Sequence, residues 1–192
     1  MKKTVLLFVL AVAGLLTVQA QEEGFVKGDV FISGSAGYSS VDQEVQESTS
    51  FTIAPRLGYF VSENLAIGAV IGYTSQKAED QLSGVETKTN TTNLGAFGRY
   101  YFSPASKFSL FGELGIAYVS TELEAGGADV TLDGFGINVG PGIGYFLNSN
   151  FALEAYWGAL NYTSLSTDGF ESKSFSIGAD LVNINLGLIY KF

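Results

Sequence analysis

Eight stretches of this sequence alternate apolar and polar residues with a period of two, and in each the apolar set carries no charge. Period two marks a β-strand, because successive side chains leave opposite faces of an extended chain. The apolar faces read Val30, Ile32, Ala36 and Tyr38; Phe51, Ile53, Pro55, Leu57 and Tyr59; Leu65, Ile67, Ala69, Ile71 and Tyr73; then Leu94, Ala96, Tyr100 and Phe102. They continue with Phe108, Leu110, Leu114, Ile116 and Tyr118; Phe135, Ile137, Val139, Pro141, Ile143 and Tyr145; Phe151, Leu153, Ala155, Trp157 and Ala159; and Val182, Ile184, Leu186, Leu188, Tyr190 and Phe192. The opposite faces are Ser, Thr, Asn, Ala and Gly, with five charges: Arg56, Arg99, Glu113, Glu154 and Lys191.

A sheet with one uncharged, aromatic-rich face and one sparsely polar face is at home where lipid lies outside and water or packed polar groups lie inside. An open sheet edge in hydrocarbon would leave backbone groups unpaired, so the sheet must close. The sequence therefore predicts an all-β, eight-stranded antiparallel up-and-down transmembrane β-barrel. Only 15% of residues are charged, against roughly 25% in ordinary soluble domains. A soluble lipocalin-type barrel would turn its apolar face inward and show water a heavily charged one; neither face here is heavily charged. Gly134 to Leu153 is uncharged over its whole length, but its Gly residues, Pro141 and strict alternation favour strand over helix.

Met1 to Ala20 has the form of a cleaved signal peptide: Lys2 and Lys3, an apolar run from Val5 to Leu16, then Val18-Gln19-Ala20 with small residues at the cleavage-reading positions. Residues 21–192 then form a single outer-membrane β-barrel domain. Short connections at Val61 to Asn64, Ser103 to Lys107 and Leu147 to Asn150 alternate with longer polar ones near Ser40 to Ser50, Gln76 to Asn90, Ser120 to Asp133 and Thr163 to Ser174. Short turns belong to the periplasmic side of such barrels and long loops to the outside. Tyr59, Tyr100, Tyr145, Phe108, Phe151, Tyr190 and Phe192 form the periplasmic aromatic girdle, and Tyr38, Tyr73 and Tyr118 the external one.

The C-terminal residues Asn185-Leu186-Gly187-Leu188-Ile189-Tyr190-Lys191-Phe192 resemble the terminal signal of outer-membrane barrels. That resemblance implies recognition of Gly187, Tyr190 and Phe192 by the barrel-assembly machinery. Residues 21–192 as a whole resemble the small outer-membrane β-barrel family, which includes OmpX-like proteins and the barrel half of OmpA. The resemblance implies a location in the outer membrane of a diderm bacterium, among lipid and lipopolysaccharide. No further domain follows Phe192, so the peptidoglycan anchoring of OmpA is not expected. Family members that are enzymes use a catalytic His, and this sequence has none.

Without Cys or His, thiolate and imidazole chemistry and ordinary zinc sites are excluded, and no enzyme activity or cofactor is expected. The net charge of −9 and the presence of only two arginines argue against nucleic acid as a partner. Those arginines, Arg56 and Arg99, fall inward at similar height to Glu113 and Glu154. Arg99 and Glu113 share a hairpin, and the other two reach the group across a narrow lumen. Four such charges form either a gate in a small-solute diffusion pore or an ionic plug. The plug is preferred because eight strands leave an interior that side chains fill, and Phe97, Tyr101, Phe111, Phe146, Tyr156 and Tyr162 are read as pointing inward. A glycosidase carboxylate pair is disfavoured by the adjacent cations and the absence of a cleft. Acidic residues collect in the outer loops: Asp42, Glu44 and Glu47 in the first, Glu122, Glu124, Asp129 and Asp133 in the third. They form either a solvated face or a site for a cationic partner or for divalent ions shared with lipopolysaccharide. The barrel is expected to be monomeric.

Overall fold

In a computed structural model the alternating segments become one continuous antiparallel wall. The structure describes residues 23–43, 46–80, 84–167, 169–178 and 184–192; the predicted signal peptide, Glu44 and Val182 lie outside them. The strands are β1 (Val30–Gln43), β2 (Gln46–Phe60), β3 (Leu65–Asp80), β4 (Val85–Tyr101), β5 (Phe108–Ala125), β6 (Ala128–Phe146), β7 (Phe151–Trp157), β8 (Leu160–Thr167), β9 (Phe170–Ile177) and β10 (Ile184–Lys191). β7 and β8, separated at Gly158–Ala159, make one of the eight staves, and β9 and β10 belong to another. β5 pairs with β6, and β1 meets β10 to close an eight-stranded barrel.

The uncharged face is the outer one. Ile67, Leu110, Ile116 and Leu153, among others, are about half exposed, whereas Phe31, Phe60, Tyr101, Phe111 and Phe146 are buried inside. The girdle residues lie in register, with Phe108 opposite Tyr145 and Phe151 opposite Tyr190, the rings of Phe151 and Tyr190 tilted together at 5.1 Å and those of Tyr190 and Phe192 meeting edge-on at 5.0 Å.

The structure corrects three readings of the sequence. The long polar connections are largely strand. β1 and β2 pair up to Gln43 with Gln46, β3 and β4 up to Asp80 with Val85, β5 and β6 up to Ala125 with Ala128, and the segment from Thr163 to Ser174 runs along β8 and β9. Their Ser, Thr and Val content suits an extended ladder above the lipid band. Gly126 and Gly127, at φ 58° and 84°, supply the tight reversal that such a ribbon needs. Second, the seventh stave carries a bulge. Gly142 faces Tyr156 on β7, yet Val139 faces Leu160 on β8, so one extra residue is accommodated at Gly158–Ala159. Asn161 Nδ2 donates to Gly158 O at 3.0 Å across it. Third, the bulge inverts the alternation beyond it. Tyr162 pairs with outward Ile137 and packs its ring 5.8 Å from that of Phe135, so it belongs to the outer face and not the lumen. Ala159, read as outward strand, sits in the interruption itself.

Candidate functional site

Period two places Arg56 on β2, Arg99 on β4, Glu113 on β5 and Glu154 on β7 inward, and the structure brings all four together. Arg99 and Glu113 are register partners. Arg99 donates from Nε and Nη2 to Glu113 Oε2 at 2.8 and 2.6 Å, and from Nη1 to Glu154 Oε2 at 2.7 Å and to the Tyr101 hydroxyl at 3.0 Å. Arg56 Nη1 donates to Glu113 Oε1 and Oε2 at 2.8 and 2.9 Å. Two cations and two anions balance, the condition under which buried charge is tolerated. Arg99 is fully buried, with its guanidinium carbon 4.1 Å from the Phe111 ring centroid. Arg56 retains 18% side-chain exposure and lies 5.6 Å from the ring centroids of both Phe97 and Tyr156. Both carboxylates are engaged by Arg99, which leaves no unpaired acid–base couple of the glycosidase kind.

Beneath the network lies a cluster that the alternation pattern did not reveal, because its central residue precedes the first strand. Phe25 is 2% exposed and contacts the rings of Phe60 at 4.6 Å, Phe146 at 4.9 Å, Phe31 at 5.3 Å and Tyr101 at 5.4 Å. The segment carrying it is strapped across the short-turn end of the barrel. Phe25 N donates to Pro104 O at 2.7 Å, Lys191 Nζ to Gly24 O at 2.6 Å and Lys107 Nζ to Glu23 Oε1 at 2.9 Å. That Glu23 hydrogen bond holds the Lys107 ammonium above its usual range. Gly24 takes φ 116° and passes so close to Ala105 that a Cβ would lie 2.5 Å from its carbonyl carbon.

Above the network is a cavity of about 310 Å³ with Arg56 and Glu113 at its floor and Ser35, Asn93, Asn138, Asn161 and Asn185 on its walls.

The C-terminal candidates sit at the closing seam. Tyr190 faces outward opposite Ile32, Phe192 N donates to Val30 O at 3.1 Å, and Gly187 turns inward where a Cβ would meet Glu154 Cγ at 3.0 Å.

Register also orders the acidic residues. Asp42 faces Glu47, Glu47 faces Glu79 and Glu79 faces Glu86, so four exposed carboxylates form a row across β1 to β4. Directly opposed residues share a face, and this is the face of Tyr38, four positions above the girdle. Glu79 and Glu86 were not singled out in the sequence, since nothing short of the register shows which loop acids are neighbours. On the same face β5 and β6 carry Glu122, Glu124, Asp129 and Asp133. Glu124 faces Asp129 and pairs with Lys88 at 3.3 Å, while Asp133 accepts from the Tyr118 hydroxyl at 2.7 Å. Among the described residues no three carboxylates converge as a metal site.

Residues 8–192 match the outer membrane protein beta-barrel domain. No curated relative matches the chain. Among solved structures, Neisserial surface protein A (NspA) is 17% identical with a TM-score of 0.57, covering 85% of this chain and 97% of that one. OprG from Pseudomonas aeruginosa is 16% identical at a TM-score of 0.55, covering 90% and 99%. The N-terminal barrel domain of P. aeruginosa OprF is 16% identical at 0.50, covering 86% and 98%. At such identities the likeness is one of fold, and it agrees with the closed wall and the outward apolar band. With the match extending over nearly all of the sequence, the chain belongs to the outer membrane protein beta-barrel domain family.

Proposed function

We propose that the protein resides in the outer membrane of a diderm bacterium as a monomeric barrel with a closed lumen, and that its extracellular ribbons present an acidic surface to a cationic partner. Family membership supports the location. The closed lumen is supported by the buried Arg99 network and the Phe25 cluster beneath it. In this reading Gly187, Tyr190 and Phe192 serve delivery to the assembly machinery, and the outward band contacts lipid and lipopolysaccharide.

The observation that carries the interaction role is the row Asp42, Glu47, Glu79 and Glu86. Like charges directly opposite in a sheet destabilise it, and among the described residues only Glu86 of the four forms an ion pair, with Lys77 at 3.6 Å. A row of self-repelling carboxylates is relieved when a cationic surface approaches. The test is retention of vesicles carrying the refolded barrel on an immobilised oligolysine peptide. The variant with Asp42→Asn, Glu47→Gln, Glu79→Gln and Glu86→Gln should lose retention, and wild-type retention should fall with added salt. Equal retention of the two proteins would remove the interaction role while leaving the closed lumen standing.

A further inference from the structure

The barrel wall is unequally closed. β1 pairs with β2 along its entire length, from Val30 to Gln43, but with β10 only over four residues, Phe31 to Gly34 opposite Leu188 to Lys191. Continuing that register would set Ser35 to Tyr38 against Gly187 to Ile184, yet no pairing is formed there, and β9 pairs with β8 alone among the described residues. This stretch lies within the lipid band, below Tyr38. Three apolar residues along the far edge are open, Leu186 at 70% exposure, Ile177 at 72% and Phe175 at 63%, while Ile184 at 44% is no more exposed than Ile67 on a paired strand at 49%. Among the described residues the seam is fastened at its base, by that four-residue ladder, by Phe192 N on Val30 O and by Lys191, which reaches Gly24 and Asp29.

On its inner side the same seam borders the cavity above the ion network, since Ser35 of β1 and Asn185 of β10 both line it. At the cavity floor Arg56 uses only Nη1 in hydrogen bonds, so its Nε and Nη2 donors have no partner among the described residues. Its counter-ion is also shared, because Glu113 serves Arg99 as well. Ser33, 3% exposed and opposite Arg56 in register, has a side-chain oxygen with no hydrogen-bond partner.

We infer that the seam and cavity together bind a single-chain amphiphile with a carboxylate head, of the fatty-acid class. The Nε and Nη2 edge of a guanidinium offers two parallel donors, the fork that a carboxylate accepts in bidentate fashion. Ser33, in register with Arg56, adds a polar side chain to the wall beside it. A cavity of about 310 Å³ is at the low end for whole-ligand pockets, so it takes the head and leaves the alkyl chain to pass between Ser35–Tyr38 and Ile184–Gly187 into the bilayer. There the chain lies against Ala36, Leu186 and Ile184 and shields backbone groups that hydrocarbon would otherwise strand. This site uses the floor formed by the ion network but is independent of the acidic ribbons.

Photolabelling tests it. The refolded protein in phosphatidylcholine vesicles, in alkaline buffer, is irradiated with a diazirine analogue of palmitate or with the matching analogue of hexadecanol, and labelled peptides are mapped by mass spectrometry. The acid should label 34–38 and 184–188 about tenfold more strongly than the alcohol does, the ratio that one charge-assisted contact supplies. Arg56→Met should bring the acid down to the alcohol's level. Even labelling around the barrel, or equal seam labelling by acid and alcohol, would overturn the inference. Should the variant fail to fold, the acid-to-alcohol ratio in the wild-type protein decides alone. Failure here would leave the oligolysine result and the conductance of the barrel unchanged, so the two readings are separately exposed.

Discussion

Arg99 and Glu113 occupy directly opposed positions on β4 and β5, and both Nε and Nη2 of the guanidinium converge on one carboxylate oxygen at 2.8 and 2.6 Å. A pair set by register is pre-aligned by the backbone ladder and needs little side-chain searching. Its partners are then fixed in turn: Glu154 from β7 takes the third donor of Arg99, and Arg56 from β2 takes the remaining lone pairs of Glu113. Removing one member strands the others in a dry interior. Glu113→Ala should therefore destabilise the barrel by about 3–5 kcal/mol, the range for breaking a buried ion pair from one side. The double variant Arg99→Met/Glu113→Ala should cost clearly less than the two single changes added together. Urea unfolding in phospholipid vesicles measures both, and strict additivity would mean that the pair is not coupled.

Phe25 joins the barrel from outside the strand pattern. Its ring touches four others contributed by β1, β2, β4 and β6, so it ties β4 and β6 to the paired staves β1 and β2 across the barrel. Phe25→Ala should cost about 3 kcal/mol, toward the lower end for a buried Phe because a terminal segment can relax into the space. Intrinsic stability in the same urea assay reads this directly. A cost below about 1 kcal/mol would mean that the strap merely rests on the short-turn opening.

The bulge at Gly158–Ala159 makes a prediction about faces. Trp157, the single tryptophan of the chain, lies on the outer face opposite Ile184. Its fluorescence should be quenched by brominated phosphatidylcholine. In a Trp157→Phe background, a new tryptophan at Tyr162→Trp should be quenched as well, whereas one at Tyr156→Trp should not. Uninterrupted alternation would put positions 156 and 162 on the same face. Equal behaviour of the two would therefore refute the register shift.

That bulge also marks where the sequence stopped being legible. The outer face of most staves, the short turns and the inward convergence of Arg56, Arg99, Glu113 and Glu154 all follow from period two, because hydrocarbon excludes charge from one face and leaves a strong binary signal. Above the lipid band that constraint vanishes. Ser, Thr and Glu are then tolerated on both faces, so the long paired ribbons read as loops, and the row from Asp42 to Glu86 appears only once register is known. Period two alone puts Tyr162 in the lumen, because an extra residue at Gly158–Ala159 inverts alternation without leaving an apolar signature. Phe25 leaves no trace in the pattern, because a lone aromatic in a polar segment ahead of the first strand has no periodicity to join.

The lumen makes the last prediction. Arg99, Glu113 and Glu154 are almost wholly buried, and the Phe25 cluster lies directly beneath them. An ion crossing the barrel would have to break hydrogen bonds between charged groups, each worth about 1.5–3 kcal/mol, and then displace packed aromatic rings. Wild-type protein in planar bilayers should accordingly show at most brief, small openings. Phe25→Ala alone should change this little, since the ionic layer remains. Combining it with Arg99→Ala and Glu113→Ala removes both layers and should give long-lived conductance with little ion selectivity, as the two deleted charges are opposite in sign. A large, stable conductance in the wild-type protein would instead favour a small-solute diffusion pore, with Arg56 and Glu113 at its constriction.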